Sequence, residues 1–263
     1  MTSRKVTTTE RSLALLQEIK QRDGATLTEL TATAPLARST VHKHLWTLLD
    51  AGYLAKEGER YVLGLKFLNY GEYARSRKLG YNLARETIRK LADETNEEVD
   101  FIVENDGRGI VVHESYHPQS QYQSHGNTES RHEYTGTYYY LHSIAAGKAI
   151  LAELPDERVA EIVEQWGLPA RTDHTITDVD VLMAQLEEVR DRGVALTDEE
   201  FEDGMRAVGR RVTYPDGSLL GSISITVPKY RMTDDVFYEQ VPDLLRETVG
   251  SLEAEIREEM CPT

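Results

Sequence analysis

Hydrophobic residues along the first third of the chain recur with helical rather than strand spacing. In "ERSLALLQEIKQRDG", beginning at Glu10, residues Leu13, Leu15, Leu16 and Ile19 fall on one side of a helix that stops at Asp23-Gly24. "TLTELTATAP" follows, with Thr26 or Thr28 placed to cap a second, short helix, Leu27 and Leu30 facing inward, and Pro35 marking a turn. The next stretch, "LARSTVHKHLWTLLDAGYL", puts Val41, Leu45, Leu48 and Leu49 on one stripe. A rotation of about 100° per residue carries Ser39, Thr40, Lys43, Trp46 and Thr47 to the opposite side. After Gly52, "YLAKEGERYVLG" reads as two short strands around the turn Glu57-Gly58-Glu59.

The pattern then shifts. "LKFLNYGEYARSRKLGYNLARETIRKLADETNE" predicts one or two helices with Gly71 and Gly80 as break points, and Leu83, Ile88 and Leu91 form an apolar side. "EVDFIVENDGRGIVVHES" gives two apolar runs around Asp106-Gly107, a hairpin signal. "DERVAEIVEQWG" and "DVDVLMAQLEEVRDRG" are amphipathic helices, and "RAVGRRVTYPDGSLLGSISITV" gives two strands joined at "YPDG". "DVFYEQVPDLLRETVGSLEAEIREEM" closes the chain as helix. Helix, hairpin, helices, hairpin, helix describes an α+β domain with an antiparallel sheet behind the first unit. The divisions expected are residues 1–66, a linker helix over 67–80, and a second domain over 81–263.

Charge sharpens that division. The chain of 263 residues carries a formal charge of −15, which taken alone speaks against a nucleic-acid partner. Residues 1–66 nevertheless sum to +3 and the remainder to −18, so a mildly basic front is joined to a strongly acidic body. Arg outnumbers Lys by 21 to 9, and much of the acidity sits on predicted helices. That profile suits a protein working in high salt, where carboxylates keep a surface hydrated; an acidic mesophilic protein is the alternative. The single cysteine, Cys261, excludes a disulfide framework and a cysteine-based metal site. No run of about 18 apolar residues appears, and "MTSRKVTTTER" has no apolar signal segment, so a cytoplasmic protein without a membrane partner is expected.

Three helices, a hairpin at this spacing and a local positive balance point to a winged helix-turn-helix that binds double-stranded DNA. An outward face of short hydroxyls and a cation, introduced by Arg38, suits a major groove, and Lys56 and Arg60 flank the turn where a wing meets phosphates. "RSLALLQEI", "LTELTATAPLARSTVHKHLWTLLDAGYL" and "YVLGLKFLNYG" resemble the IclR family of transcriptional regulators, and the resemblance covers nearly the whole chain. It implies a recognition helix over 39–50, with Ser39, Thr40, His42 and Lys43 as matched contacts, Thr47 beside them, and Arg38, Lys56 and Arg60 as further DNA contacts. The family usually has Arg where Lys43 stands, a change that keeps the charge and weakens bidentate guanine reading. It also implies a GAF-like effector-binding domain, a homodimer or dimer of dimers on palindromic operators, and allosteric coupling without a cofactor or a reaction.

The resemblance places the effector pocket in three pieces: the backbone at Ala145 and Ala146, the segment at Thr197 and Ala207, and the strand hydroxyls of Ser224 and Thr226. Members that bind small 2-oxo acids commonly carry Asp and Cys where this chain has Thr197 and Ala207, which argues for a larger or less acidic effector such as a sugar or sugar-derived acid. Tyr138 and Tyr140, with Tyr139 between them, favour a hydroxylated or aromatic ligand, and buried core tyrosines are an equal alternative. The acidic "TDEEFED" (197–203) reads as a solvated turn rather than a cation site, because it lacks the alternation and glycine of a calcium loop. His113, His117, His125, His132 and His142 fall within 30 residues, which reads first as a polar loop lying over a pocket and keeps open a metal-dependent hydrolase as the alternative function. A third reading is an architectural DNA binder that needs no effector.

"HSIAAGKAILAEL" contains a Gly-Lys pair, but His142 stands where a phosphate loop needs glycine, and Ala149 where it needs Ser or Thr. The stretch reads instead as small residues opening a helix beside a ligand, with Gly147 for close packing and Lys148 as a solvated or structural cation.

Overall fold

The structure is a computed structural model that describes residues 5–116 and 135–260. The chain forms two compact units, the first running through Arg77 and the second beginning at Lys78.

The first unit holds helices α1 (Thr7–Gln21), α2 (Leu27–Thr33) and α3 (Arg38–Asp50), strands β1 (Ala25–Thr26), β2 (Leu54–Glu57) and β3 (Arg60–Leu63), and α4 (Lys66–Ser76). Leu15, Leu16, Ile19, Leu30, Val41, Leu45 and Leu54 make its core. Thr26 caps α2: its hydroxyl accepts from the Glu29 N–H while the Glu29 carboxylate accepts from the Thr26 N–H at 2.7 Å, a reciprocal box that leaves neither terminal donor unpaired. The strands pair antiparallel in the order β1-β3-β2, with Gly58 at φ +59° in the turn.

The second unit is a six-stranded antiparallel sheet in the order β6-β5-β4-β9-β8-β7. Its strands are β4 (Glu98–Asn105), β5 (Arg108–Tyr116), β6 (Tyr138–Tyr140), β7 (Ala195–Asp198), β8 (Met205–Thr213) and β9 (Leu219–Pro228). Helices α5 (Leu79–Thr95) and α9 (Val241–Met260) cover one face, meeting Val99, Phe101, Val103, Val208, Ile223 and Ile225 in the larger core. The other face meets α6 (Ala145–Leu151), α7 (Asp156–Trp166) and α8 (Val179–Arg192) through a separate cluster that includes Ile102, Val111, Ile150, Ile162, Leu182 and Leu186.

Two details differ from the sequence expectation. The break between α4 and α5 lies at Arg77-Lys78, while Gly71 sits inside α4 and Gly80 inside α5. Gly80 is there for proximity: a Cβ would come within 2.5 Å of Leu220 Cδ2. The segment expected as a solvated acidic turn instead begins with β7 and is laced with ion pairs. Asp198 pairs with Arg206 at 2.9 Å and Lys229 at 3.0 Å, Glu199 pairs with Lys229, and Glu200 is buried against Lys148. A mean acidic composition concealed those partners because they come from β8, the residues after β9, and α6.

Candidate functional sites

Helix α3 turns Val41, His44 and Leu45 into the core, and Leu48 and Leu49 are half-buried. Buried His44 has Nδ1 2.8 Å from Ser12 Oγ, which ties α3 to α1. Arg38, Ser39, His42, Lys43, Trp46 and Thr47 are exposed and Thr40 is partly so. Within that face Thr47 donates its hydroxyl to the Lys43 carbonyl at 2.9 Å, and Arg38 reaches the Thr28 hydroxyl at 3.4 Å. On the hairpin, Lys56 lies 3.7 Å from Glu59 at the surface. Arg60 is already engaged: it donates to the carbonyls of Gly24 and Arg22 and lies 3.8 Å from Glu29. Those bonds brace the wing against the α1–α2 connection. Ser39, His42, Lys43 and Lys56 therefore remain the freest of the eight residues to meet another molecule.

In the second unit a cavity of about 330 Å³ lies between the sheet and α6. Strand pairing explains what lines it. Asp100 on β4 stands opposite Ser224 on β9, which stands opposite Gly209 on β8; in the neighbouring row Glu98, Thr226, Ala207 and Thr197 follow one another from β4 to β7. Side chains alternate faces along a strand. Val99 and Phe101 therefore go to the larger core while Glu98 and Asp100 go to the cavity. Gly209 brings α6 close, since a Cβ there would stand 2.5 Å from the Ala145 carbonyl carbon.

Of the eight positions expected at an effector pocket, Ala145, Thr197, Ala207, Ser224 and Thr226 line this cavity. Ala146 does not; it is fully buried in the cluster beneath α6. Tyr138 and Tyr140 also lie off the lining, and Tyr139 is on it. The pleat is the reason: Tyr138 points away to Asn105 Oδ1 at 2.7 Å, and Tyr140 packs against the Arg108 guanidinium 4.0 Å from its ring centroid. Tyr139 meets Phe201 edge-on at 5.2 Å between centroids.

Sequence reasoning missed the carboxylates Glu98, Asp100 and Glu202, together with Phe201, Arg171 and Arg206. The signal for the first two was present: acidic residues at alternate positions of "EVDFIVEN", an otherwise apolar strand. Burial drives the Asp100 carboxyl well above the ordinary carboxylate range, helped by Glu98 and Glu114; burial likewise raises Glu98 to about 7, with Glu114 and Glu202 adding to it. Arg206 is held on the opposite side by Asp198 at 2.9 Å and Asp234 at 2.8 Å.

A carboxyl whose folded-state value is raised holds its proton more tightly when folded. Its stabilising contribution is whole below the unfolded value of about 4 and is lost as pH rises through the folded value. With Glu98 near 7, the thermal midpoint of Glu98→Gln should gain on that of the native chain between about pH 4 and 7. Measuring the difference between the two proteins cancels other titrations, such as that of His142, which burial lowers. A constant difference across this window would overturn the assignment. The groups facing these two carboxyls are Glu114 and Tyr116 from β5, Glu202 and Arg206 from the far wall, and Arg171.

His113 stacks beside Phe101 at 6.5 Å, and His142 Nε2 lies 3.2 Å from the Pro169 carbonyl oxygen. His117, His125, His132 and Cys261 lie outside the described residues. Among the described residues no group of three His, Cys, Asp or Glu is placed to hold a metal ion, and the hydrolase alternative finds no support. Nor, among them, is any helix long and apolar enough to cross a membrane.

A winged helix-turn-helix followed by a sheet domain with a ligand-sized cavity defines a DNA-binding regulator that carries its own sensing domain. The description "IclR helix-turn-helix domain" matches residues 8–58, and "Bacterial transcriptional regulator IclR C-terminal" matches residues 74–253. A Halobacterium salinarum protein described as "Probable HTH-type transcriptional regulator ArcR" is 34% identical over 254 residues, 96% of this chain and 95% of that one. The crystal structure of Thermotoga maritima IclR superposes with a TM-score of 0.74 at 24% identity, over 96% of this chain and 99% of the other. The inducer-binding domain of an Acinetobacter PobR variant, solved with 3-hydroxybenzoic acid, superposes with a TM-score of 0.58 at 26% identity, over 65% of this chain and 96% of the other. The chain belongs to the IclR family of transcriptional regulators.

Proposed function

We propose that this regulator lays α3 in the major groove of an operator, with Ser39, Thr40, His42 and Lys43 toward the bases, and changes its DNA affinity when a small metabolite fills the cavity above β4, β9 and β8. The observation that carries the reading is the pairing of an exposed polar face on α3 with a ligand-sized cavity lined by Thr197, Ala207, Ser224 and Thr226. A volume of about 330 Å³ sits at the lower end of the roughly 300–1,000 Å³ of small-molecule sites. The relative solved with 3-hydroxybenzoic acid supports a ligand of this size class. No reaction is part of the role, which belongs to the cytoplasm, beside DNA, and the genes controlled are catabolic. A halophilic source is supported by the acidic body and by the likeness to a Halobacterium salinarum protein.

A homodimer, or a dimer of dimers, is part of the same reading. Helix α4 has no buried residue, and Leu65, Leu68 and Tyr73 are exposed on or beside it. Apolar side chains this concentrated on one short helix suit a second copy of the chain.

The test is operator binding by Lys43→Ala across a salt series. Losing one base or phosphate contact should cost about 1–3 kcal/mol of affinity and flatten the salt dependence if the lost contact is to phosphate. Unaltered affinity and slope would overturn the assignment of α3.

A further inference from the structure

The family resemblance pointed to a sugar or a sugar-derived acid; the cavity's own charges point elsewhere. We infer that the ligand of this cavity is a small organic cation, carrying a protonated amine or guanidinium group that sits on the Asp100 and Glu98 carboxylates. The inference rests on the proposed sensing role and names the chemistry of what is sensed.

Asp100 is 8% exposed, lines the cavity, and among the described residues its Oδ1 finds no hydrogen-bond partner. A buried oxygen left without a donor is costly unless something supplies one. The sheet supplies none: its neighbours across the strands are Ser224 and Glu114. The Glu114 carboxylate already accepts from the Tyr116 hydroxyl at 3.1 Å and the Thr135 N–H at 3.2 Å. Glu98 lies two residues along on the same face, and Glu202 stands at the opening. A ligand bearing several N–H donors on a positive centre would satisfy Asp100 and take the place of the protons that burial makes Asp100 and Glu98 hold, leaving both as paired carboxylates.

The cavity's cations do not cancel this charge. The Arg206 guanidinium faces Asp198 and Asp234 and donates to the Met232 carbonyl at 2.9 Å, with Nε left unpaired. Arg171 lies over the outer ring of Phe201, 4.9 Å from its centroid. Tyr139 and Phe201 meet edge to face on the wall and give the cavity an aromatic lining, the surface a cation favours. An anionic effector placed against Asp100 would meet three carboxylates of the lining.

The experiment is thermal stability and titration calorimetry of the full chain at constant ionic strength. The probes are 1,4-diaminobutane and butylguanidinium, with butane-1,4-diol and succinate as neutral and anionic counterparts. One or both cations should raise the midpoint saturably and bind with measurable heat, and the comparison between them separates ammonium from guanidinium. Asp100→Asn, isosteric and relieved of a buried charge, should weaken that binding by about tenfold or more. Glu98→Gln should weaken it too, so the outcome does not hang on one variant. A saturable response to succinate or the diol but not to the cations would overturn the inference while leaving a ligand-sensing regulator intact. So would a cation response that sodium chloride reproduces or that both variants retain. Failure of the regulator reading has a different signature, operator affinity indifferent to Lys43→Ala.

Discussion

Replacing Lys148 with methionine should destabilise the second unit by about 3–5 kcal/mol, the cost of leaving one half of a buried ion pair alone. The Lys148 side chain is completely buried, and Nζ lies 2.6 Å from Glu200 Oε1, with Oε2 equally close. Burial pushes Lys148 down and Glu200 up from their ordinary ranges, and the contact between them opposes both shifts. Without the ammonium, the Glu200 carboxylate has to take up a proton or open the loop that holds it. Lys148→Met combined with Glu200→Leu should recover most of the loss, because the pair as a whole contributes far less than either broken half subtracts. Urea denaturation of the two variants measures this directly. A single variant within about 1 kcal/mol of the native chain would show that the lysine is not sealed from solvent.

Gly147→Ala should destabilise by about 3 kcal/mol, at the upper end of the usual cost of overpacking. The direction is opposite to the ordinary effect of this change, since Gly to Ala in a helix interior gains about 1 kcal/mol from propensity. The neighbour decides the sign. A Cβ on Gly147 would lie 2.2 Å from the Leu141 carbonyl oxygen and 2.6 Å from Leu141 Cα. These are backbone atoms of the single helical turn over Leu141–Ser143 that leads into α6, so no side chain can swing aside. Helix α6 would have to lift from that turn, and the cavity would change shape with it. A denaturation midpoint equal to or above the native one would overturn the close-packing assignment.

The Gly-Lys pair shows how far the sequence could be read. Its failure as a phosphate loop was legible from two positions, His142 and Ala149, and so was the packing role of Gly147. The partner of Lys148 was not. Glu200 is 52 residues away, and nothing local in "TDEEFED" distinguishes it from the other acidic residues there. The first unit was legible for the opposite reason: its helices announce themselves through short-range periodicity, and the Thr26–Glu29 box is three residues wide. At the cavity, the floor of hydroxyls and small residues came through the family likeness. Of the three tyrosines it is Tyr139 that reaches the cavity lining, and a three-residue strand gives no periodicity from which to tell its faces apart. Asp100 escaped because β4 showed itself as an apolar run beside a turn, and the acidic residues at alternate positions within that run add nothing to such a signal.

Many ion pairs among the described residues stand in solvent, Lys56–Glu59 and Arg89–Glu86 with them. Dissolved salt weakens such pairs, as it weakens contacts between protein cations and DNA phosphates, the kind proposed for Lys43 and Lys56. The Lys148–Glu200 pair is sheltered from that screening. It pins α6 to the very loop that delivers Phe201 and Glu202 to the cavity. Rising ionic strength should therefore loosen the hold on DNA while leaving the walls of the ligand site where they are. Salt thus acts on the output of the regulator and spares the geometry of its input.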